Sequence, residues 1–264
     1  AKRLDPRHCE KLQPVVLAVA HAIAVPGTTI LVFLPGIAEI ASLWEDAKEL
    51  EANGSFRVYP LHSMIPREEQ ELVFKEPEAS VTNLVLSTDI AESSVTLPHV
   101  VAVIDLGLHR RVDHDDQRAA SGLATKWISQ ASAKQRCGRA GRTQPGICVR
   151  LYTREFFEGT MAPFDPPESA SMPLDRLYLQ AKQLANGMGR SIGSKAPQTA
   201  KAVIQEMIEP PHVMAIVAAR SANADLGNIN GMEEGAVITP LGQLCLQLPL
   251  PLPLARLVWL GAHW

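Results

Sequence analysis

Apolar and polar positions follow two alternating rhythms through the first 155 residues. Short, nearly continuous apolar runs read as strands: ILVFL (30–34), FRVYP (56–60), LVLS (84–87), VVAVID (100–105) and ICVRLY (147–152). Between them lie helical patterns, at about 9–24, 36–52, 66–75 and 130–142. In the second of these, Ile40, Leu43, Trp44, Ala47 and Leu50 fall on one side. Apolar strands separated by helices predict an α/β fold: a parallel sheet with helices on both faces. Ligands of such sheets bind beyond the carboxyl ends of the strands, which points to the loops after Leu34, Pro60 and Ser87.

The rhythm changes after Arg154. GTMAPFDPPESASMP (159–173) carries four prolines and no periodicity, so it reads as a linker or wrapping segment. Helices are predicted at 173–187, 197–209 and 211–223, with a Gly-rich break, GMGRSIGS, after the first. A polar turn around Gly227 to Gly235 follows. The run VITPLGQLCLQLPLPLPLARLVWLGA then opens as a short strand and becomes a helix with Thr239 at its N-cap. Helices with one short strand pair fit a small winged-helix-like domain. The expected boundaries are 1–155 for the α/β domain, 156–238 for linker and winged helix, and 239–264 for the start of a further helical domain.

Hydrophobic residues make up 46% of the 264 positions and charged ones 20%, an ordinary globular composition. The net charge of −3 gives no hint of a polyanionic partner, but its distribution does. Between Gly107 and Arg154 ten Lys/Arg stand against three Asp/Glu, the footprint expected of a phosphate-rich partner. Cys9, Cys137, Cys148 and Cys245 are far apart in sequence with no CxxC spacing, which argues against a zinc site or disulfide framework. A reducing intracellular compartment is therefore expected: nucleus, cytoplasm or mitochondrion. No apolar run reaches membrane-spanning length, so no membrane partner is expected. A start without methionine and an end inside a helical pattern predict a piece of a longer protein.

Candidate chemistry concentrates in QRCGRAGR (135–142). As a helix, this segment places Gln135, Arg139 and Arg142 in one stripe, while Gly138 and Gly141 leave the backbone bare for close approach. Arginine forks grip phosphate oxygens with two bonds, and in phosphoryl transfer they stabilise charge that develops in the transition state. A solvated basic helix end is the plainer alternative. Two glycines inside a helix sit poorly with it, at about 1 kcal/mol each against alanine. A second segment, LSTDIAESSVTLPHVVAVIDLG (86–107), carries Ser87, Thr88, Asp89, Glu92, Ser93 and Ser94 out of a buried strand. Such a loop either bonds phosphate and ribose oxygens or simply caps the next element. The third is ILVFLPGIAEI (30–40), a strand turning sharply through Pro35-Gly36.

Order and spacing sharpen these signals. FLPGIAEI, then YPLHSMIPREEQELVF (59–74), then TDIAESSVT, then QRCGRAGRTQPGICVRLYT resembles motifs IV, IVa, V and VI of the second RecA-like domain of DEAH/RHA-family RNA helicases. WISQASAKQR (127–136), MPLDRLYLQAKQL and ITPLGQLCLQLPLPLPLARLVWLGA extend the resemblance into the family's winged-helix domain and the start of its ratchet domain, covering about 30–264. The resemblance implies an ATP-dependent, 3′-to-5′ RNA helicase of which this chain is the C-terminal half of the motor. Gln135, Arg139 and Arg142 would face the γ-phosphate, with the two arginines as fingers and Gln135 placing the attacking water. Phe74 would stack on the adenine base or, alternatively, be a core residue; Thr96 would lie near the ribose. Thr88, Asp89, Pro35 and Gly36 would touch the RNA backbone. Residues 107–126 would form a strand-separating β-hairpin, where Arg110 and Arg111 would touch RNA or remain solvated.

Three positions depart from the family pattern: Asp89 stands for asparagine, Pro98 for aspartate and Cys137 for alanine. The first weakens a direct phosphate contact or turns Asp89 toward a ribose 2′-OH. The second loosens nucleoside selectivity. The chain has no G-x-x-x-x-G-K-[ST] loop and no DEAH box, so the groups that hold ATP phosphates and Mg²⁺ belong to a first RecA domain. Expected partners are single-stranded RNA or a duplex with a 3′ overhang, and a larger ribonucleoprotein complex or adaptor. The rivals are a catalytically inactive helicase-like RNA-binding scaffold and a DNA translocase.

Overall fold

The computed structural model describes residues 5–93, 96–115, 120–142, 144–166, 174–191 and 199–262. Five strands form one parallel sheet: β1 (Thr29–Phe33), β2 (Phe56–Leu61), β3 (Thr82–Ser87), β4 (Val100–Asp105) and, last in sequence, β7 (Ile147–Arg150). Their order is β2-β3-β1-β4-β7, and every pairing is parallel. The five strand expectations from the apolar runs hold to within a few residues. β1 sits at the centre with all five residues buried. Because side chains alternate across a strand, Ile30 and Val32 enter one core while Leu31 and Phe33 enter the other.

On the Ile30 face, helices α1 (Gln13–Ala22) and α2 (Ile37–Asp46) bring Val16, Ala20, Ile40 and Leu43 against the sheet. The pattern at 36–52 splits here, since a second short helix, α3 (Lys48–Ala52), follows after Ala47. The opposite face is covered by shorter pieces. These are α4 (Arg67–Gln70), the 3-10 turn Glu71–Phe74 that delivers Val73, and α5 (Ile90–Ser93), which delivers Ala91. Beyond β4, an antiparallel hairpin of β5 (Leu108–Asp115) and β6 (Ala120–Trp127) pairs Leu108 with Trp127 through to Asp115 with Ala120. It leads into α6 (Gln130–Cys137), β7 and α7 (Arg154–Gly159).

β2 is an edge strand, and its edge is blunted. Pro60 has no N–H to offer, and the Val58 N–H is taken by the Glu51 carboxylate at 2.8 Å.

The chain divides into two compact units, Ala1–Asp165 and Pro166–Trp264. In the second, α8 (Leu174–Ser191), α9 (Ala200–Gln205), α10 (Val213–Asp225), α11 (Pro240–Gln247) and α12 (Leu252–Ala262) enclose a core that includes Leu179, Ile204, Ile216 and Cys245. Thr239 caps α11 as its sequence position implies, its Oγ1 accepting from the Gly242 N–H at 3.1 Å. The expected strand pair is a single antiparallel bridge between Ile229 and Ile238. The apolar tail is two helices bent by 120°, not one. Pro249 and Pro251 cannot donate, and each disfavours helical backbone in the residue before it. The carbonyls of Leu246, Leu248 and Leu250 freed at that break accept from the Arg176 guanidinium at 2.9–3.3 Å. Among the described residues no single helix is long and apolar enough to cross a membrane.

Candidate functional site

The candidate residues form two groups at opposite ends of β4. One lies beyond the strands' carboxyl ends, where α/β sheets hold ligands. There the Leu34 N–H donates to the Ser87 carbonyl at 2.8 Å, which ties the end of β1 to the end of β3. Thr88 is buried, and Asp89 after it is exposed. The turn is built by the N–H groups of Ala91 and Glu92, which donate to the carbonyls of Thr88 and Asp89 at 3.3 and 2.9 Å. Gly36 opens α2 in extended backbone, so φ does not require glycine. A Cβ there would lie 2.8 Å from Arg110 Nη1, the tip of a flexible side chain that can shift to make room. Arg110 also donates to Glu39 at 2.7 Å, and Arg111 pairs with Asp165 at 3.6 Å. The structure thus brings Gly36 and Arg110 together and gives both hairpin arginines carboxylate partners. Ser94 of the polar loop lies outside the described residues.

The second group sits on the Leu31 face of the sheet, near the amino end of β4. Here the structure corrects the expected helix at 130–142: α6 stops at Cys137, and Gly138 begins a turn. Arg139 and Arg142 are therefore not a helical stripe with Gln135. They are presented by the turn, in which Gly141 has φ +79° and its N–H reaches the Val100 carbonyl at 3.4 Å. The glycines that sit poorly in a helix are at home here. Arg142 donates to Thr96 Oγ1 at 3.2 Å. Arg139, Arg142 and Thr96 line one shallow depression floored by Leu31, Ala91, Leu97 and Val100. Partial burial, then the like charge of Arg142, push the Arg139 guanidinium below its ordinary value, with Glu92 opposing. Two cationic forks beside a hydroxyl over an apolar floor suit a polyphosphate. Gln135 is exposed on the last turn of α6. Phe74 is 44% exposed while its neighbour Val73 is buried, so the ring is not a core side chain.

Sequence reasoning missed what joins the two groups. α6 runs beside β4: just before it, the Ile128 N–H donates to Gly107, past the carboxyl end, and just after it Gly141 reaches Val100 at the amino end. Within α6, Arg136 is fully buried. Its Nε donates to Glu92 at 3.0 Å, and its Nη1 to Asp105 at 3.0 Å and to the Leu108 carbonyl at 3.1 Å. Its guanidinium also lies 4.7 Å from the centre of the Phe33 ring. Burial works against this charge, but Asp105 and Glu92 outweigh it and hold Arg136 above its ordinary value. Asp105 is completed by the Gly107 N–H at 2.9 Å and the Tyr152 hydroxyl at 3.0 Å. The available signal was the carboxylate ending the apolar run VVAVID, since a charge in a buried strand needs a partner.

Beside this cluster, His109 is pushed down to about 4 by burial, then by Arg111, Asp165 partly opposing. Cys137 and Cys148, eleven positions apart in sequence, are close enough to interact, and burial followed by the Cys137 thiol pushes Cys148 up to about 12. Among the described residues no three His, Cys, Asp or Glu side chains gather to hold a metal ion.

Residues 15–144 match the model of the helicase conserved C-terminal domain. The chain is 36% identical over 245 residues to human DHX57, covering 90% of this chain and 17% of that protein. It is 38% identical over 238 residues to the DExH-box ATP-dependent RNA helicase DExH4 of Arabidopsis thaliana, covering 88% of this chain and 16% of that protein. The crystal structure of the E. coli DExH-box NTPase HrpB superposes with a TM-score of 0.74 at 26% identity, over 97% of this chain and 28% of that one. The chain thus spans about a sixth of the length of these two sequence relatives.

Proposed function

Because the chain belongs to the DExH/DEAH-box RNA helicases through its RecA-like helicase C-terminal domain, we propose that it is the second half of an RNA-stimulated NTPase motor that translocates 3′ to 5′ along RNA. In this reading Ala1–Asp165 is the second RecA-like domain, and Pro166–Trp264 holds the winged helix and the beginning of the ratchet domain. The observation that carries the reading is the turn after α6, which holds Arg139 and Arg142 over one depression beside Thr96.

ATP binds between this face and a first RecA domain elsewhere in the full-length protein. Thr96 lies at the ribose, and the half-exposed Phe74 ring offers a stacking surface to the base. Arg139 and Arg142 approach the γ-phosphate as the domains close, so their charge acts mainly on the transition state. Gln135 orients the attacking water. Mg²⁺ would neutralise phosphate charge there, held mainly by groups of the first RecA domain. Thr88, the Pro35-Gly36 turn and Asp89 line the RNA path at the carboxyl ends of β1 and β3, with Asp89 accepting from a 2′-OH. Arg110 and Arg111 add positive charge at the hairpin base, moderated by Glu39 and Asp165.

The test is ATP hydrolysis and strand separation by the full-length protein, with duplexes carrying a 3′ or a 5′ single-stranded overhang. RNA should stimulate hydrolysis, and only the 3′-tailed duplex should open. Hydrolysis indifferent to RNA would overturn the reading, and unwinding from the 5′ tail would overturn its direction.

A further inference from the structure

Glu92 occupies a place that neither candidate group explains. It lies in the turn that starts at Thr88-Asp89, yet its side chain is only 14% exposed and faces α6, not the strand ends. One carboxylate oxygen, Oε2, takes two hydrogen bonds there: from Ser132 Oγ at 2.6 Å and from Arg136 Nε at 3.0 Å. It also lies close enough to Arg139 to favour that guanidinium's charge. The other end of the chain of contacts is equally direct. The Arg139 N–H donates to the Arg136 carbonyl at 3.0 Å, so the turn presenting Arg139 hangs from the residue that Glu92 holds.

Arg136 has two carboxylate partners of different character. Asp105 is fully buried at the end of β4, fixed by the Gly107 N–H and the Tyr152 hydroxyl. Glu92 rides on α5, a four-residue helix whose backbone is continuous with the turn after β3. Asp105 therefore anchors α6 to the sheet, whereas Glu92 ties α6 to a polar turn at the strand ends. A shift of that turn by an ångström or so breaks or shortens bonds of about 3 Å to Ser132 and Arg136, because hydrogen bonds are steep in distance. α6 and the turn after it then respond, and these carry Arg139 to the amino end of β4.

We propose that Glu92 is a positioning residue that couples engagement of the RNA strand at the Thr88-Asp89 turn to the placement of Arg139. The inference rests on the helicase reading above and specifies how its two sites communicate. The coupling path is one carboxylate, one helix and one turn, and the strand and the nucleotide bias it from opposite ends.

The experiment compares wild type, Glu92→Gln and Ser132→Ala in the full-length protein. It measures ATP turnover without RNA, turnover at saturating single-stranded RNA, RNA affinity and thermal midpoint. Glutamine keeps an acceptor for both donors but removes the charge, and Asp105 remains to neutralise Arg136. For Glu92→Gln the expected result is a drop of about tenfold in RNA-stimulated turnover, the scale of a coupling residue. Turnover without RNA, RNA affinity and the midpoint should stay near wild type. Ser132→Ala leaves every carboxylate in place and should give a smaller loss in the same ratio, which covers the case of a poorly folding Glu92 variant. Stimulation unchanged in both variants, or basal and stimulated turnover falling by one common factor, would overturn the proposal. A wild type that RNA does not stimulate would overturn the helicase reading itself, and the coupling with it.

Discussion

Replacing Arg136 by methionine removes a buried cation while roughly keeping the volume of its aliphatic stem. In the native fold this guanidinium answers two carboxylates and one carbonyl at 3.0–3.1 Å and stands over the Phe33 ring. Asp105, with no exposed surface, is left with the Gly107 N–H and the Tyr152 hydroxyl. Glu92 can still turn to solvent, so the main cost is the stranded Asp105. Removing one partner of a buried pair costs about 3–5 kcal/mol, and two surviving donors place this case near the lower end. For a unit of this size that corresponds to a fall of about 6–16 °C in the unfolding midpoint. Urea unfolding followed by circular dichroism measures the free-energy loss directly, and a thermal melt measures the midpoint. Arg154→Met, which breaks only an exposed pair with Glu158, serves as the control and should leave the midpoint in place. In the double variant Arg136→Met/Asp105→Leu most of the loss should return, because the stranded charge is gone. A single-variant loss under about 1 kcal/mol, no more than an average substitution, would refute the view that Arg136 ties α6 to the sheet.

Phe74→Ala should raise KM for ATP, GTP, CTP and UTP alike, since stacking discriminates little between bases, while the apo midpoint hardly moves. A loss of about 3–5 kcal/mol in apo stability would instead mark a core ring. Residues 1–264 alone should bind single-stranded RNA weakly, with affinity falling steeply between two salt concentrations and little sequence preference; tight, salt-insensitive binding would count against a backbone-tracking surface. His109 is held near 4 in the fold against about 6.5 unfolded, so the unfolded state takes up its proton first as pH falls. Its stabilising contribution is complete above about 6.5 and is lost toward 4; the stability of His109→Gln should depend less on pH across that window, and an unchanged slope would refute the assignment.

The sheet was legible because its signal is redundant. Each strand is an apolar run of the right length, and ILVFL had to be buried on both sides wherever its neighbours lay. Helix ends were less legible. The pattern at 130–142 continues in side-chain type past Cys137, but Gly138 and Gly141 favour a turn, and backbone tied to Val100 decides the matter. That difference moved the arginines from a helix face to a loop without separating them from Thr96. The tail misled in the opposite way. LQLPLPLPLARL is uniformly apolar, and two prolines divide what its hydrophobicity alone would join. The Arg136 cluster was illegible for a different reason. Its members stand at 92, 105, 136 and 152, and only tertiary packing makes neighbours of a turn, a strand end, a helix and the segment after β7. Phe74 shows a middle case: the resemblance favours a stacking ring, but a ring after Val73 keeps a core side chain as the alternative until its exposure is known.

The central claim is that the turn after α6 is catalytic and not merely basic. Steady-state ATP turnover of the full-length protein with Arg139→Ala or Arg142→Ala, at saturating RNA, tests it most directly. Each variant should lose about 10³-fold or more in turnover, the scale of an arginine finger. ATP affinity should change far less, because the contact strengthens in the transition state. Turnover near wild type in both variants would contradict the account and leave QRCGRAGR as a solvated basic loop.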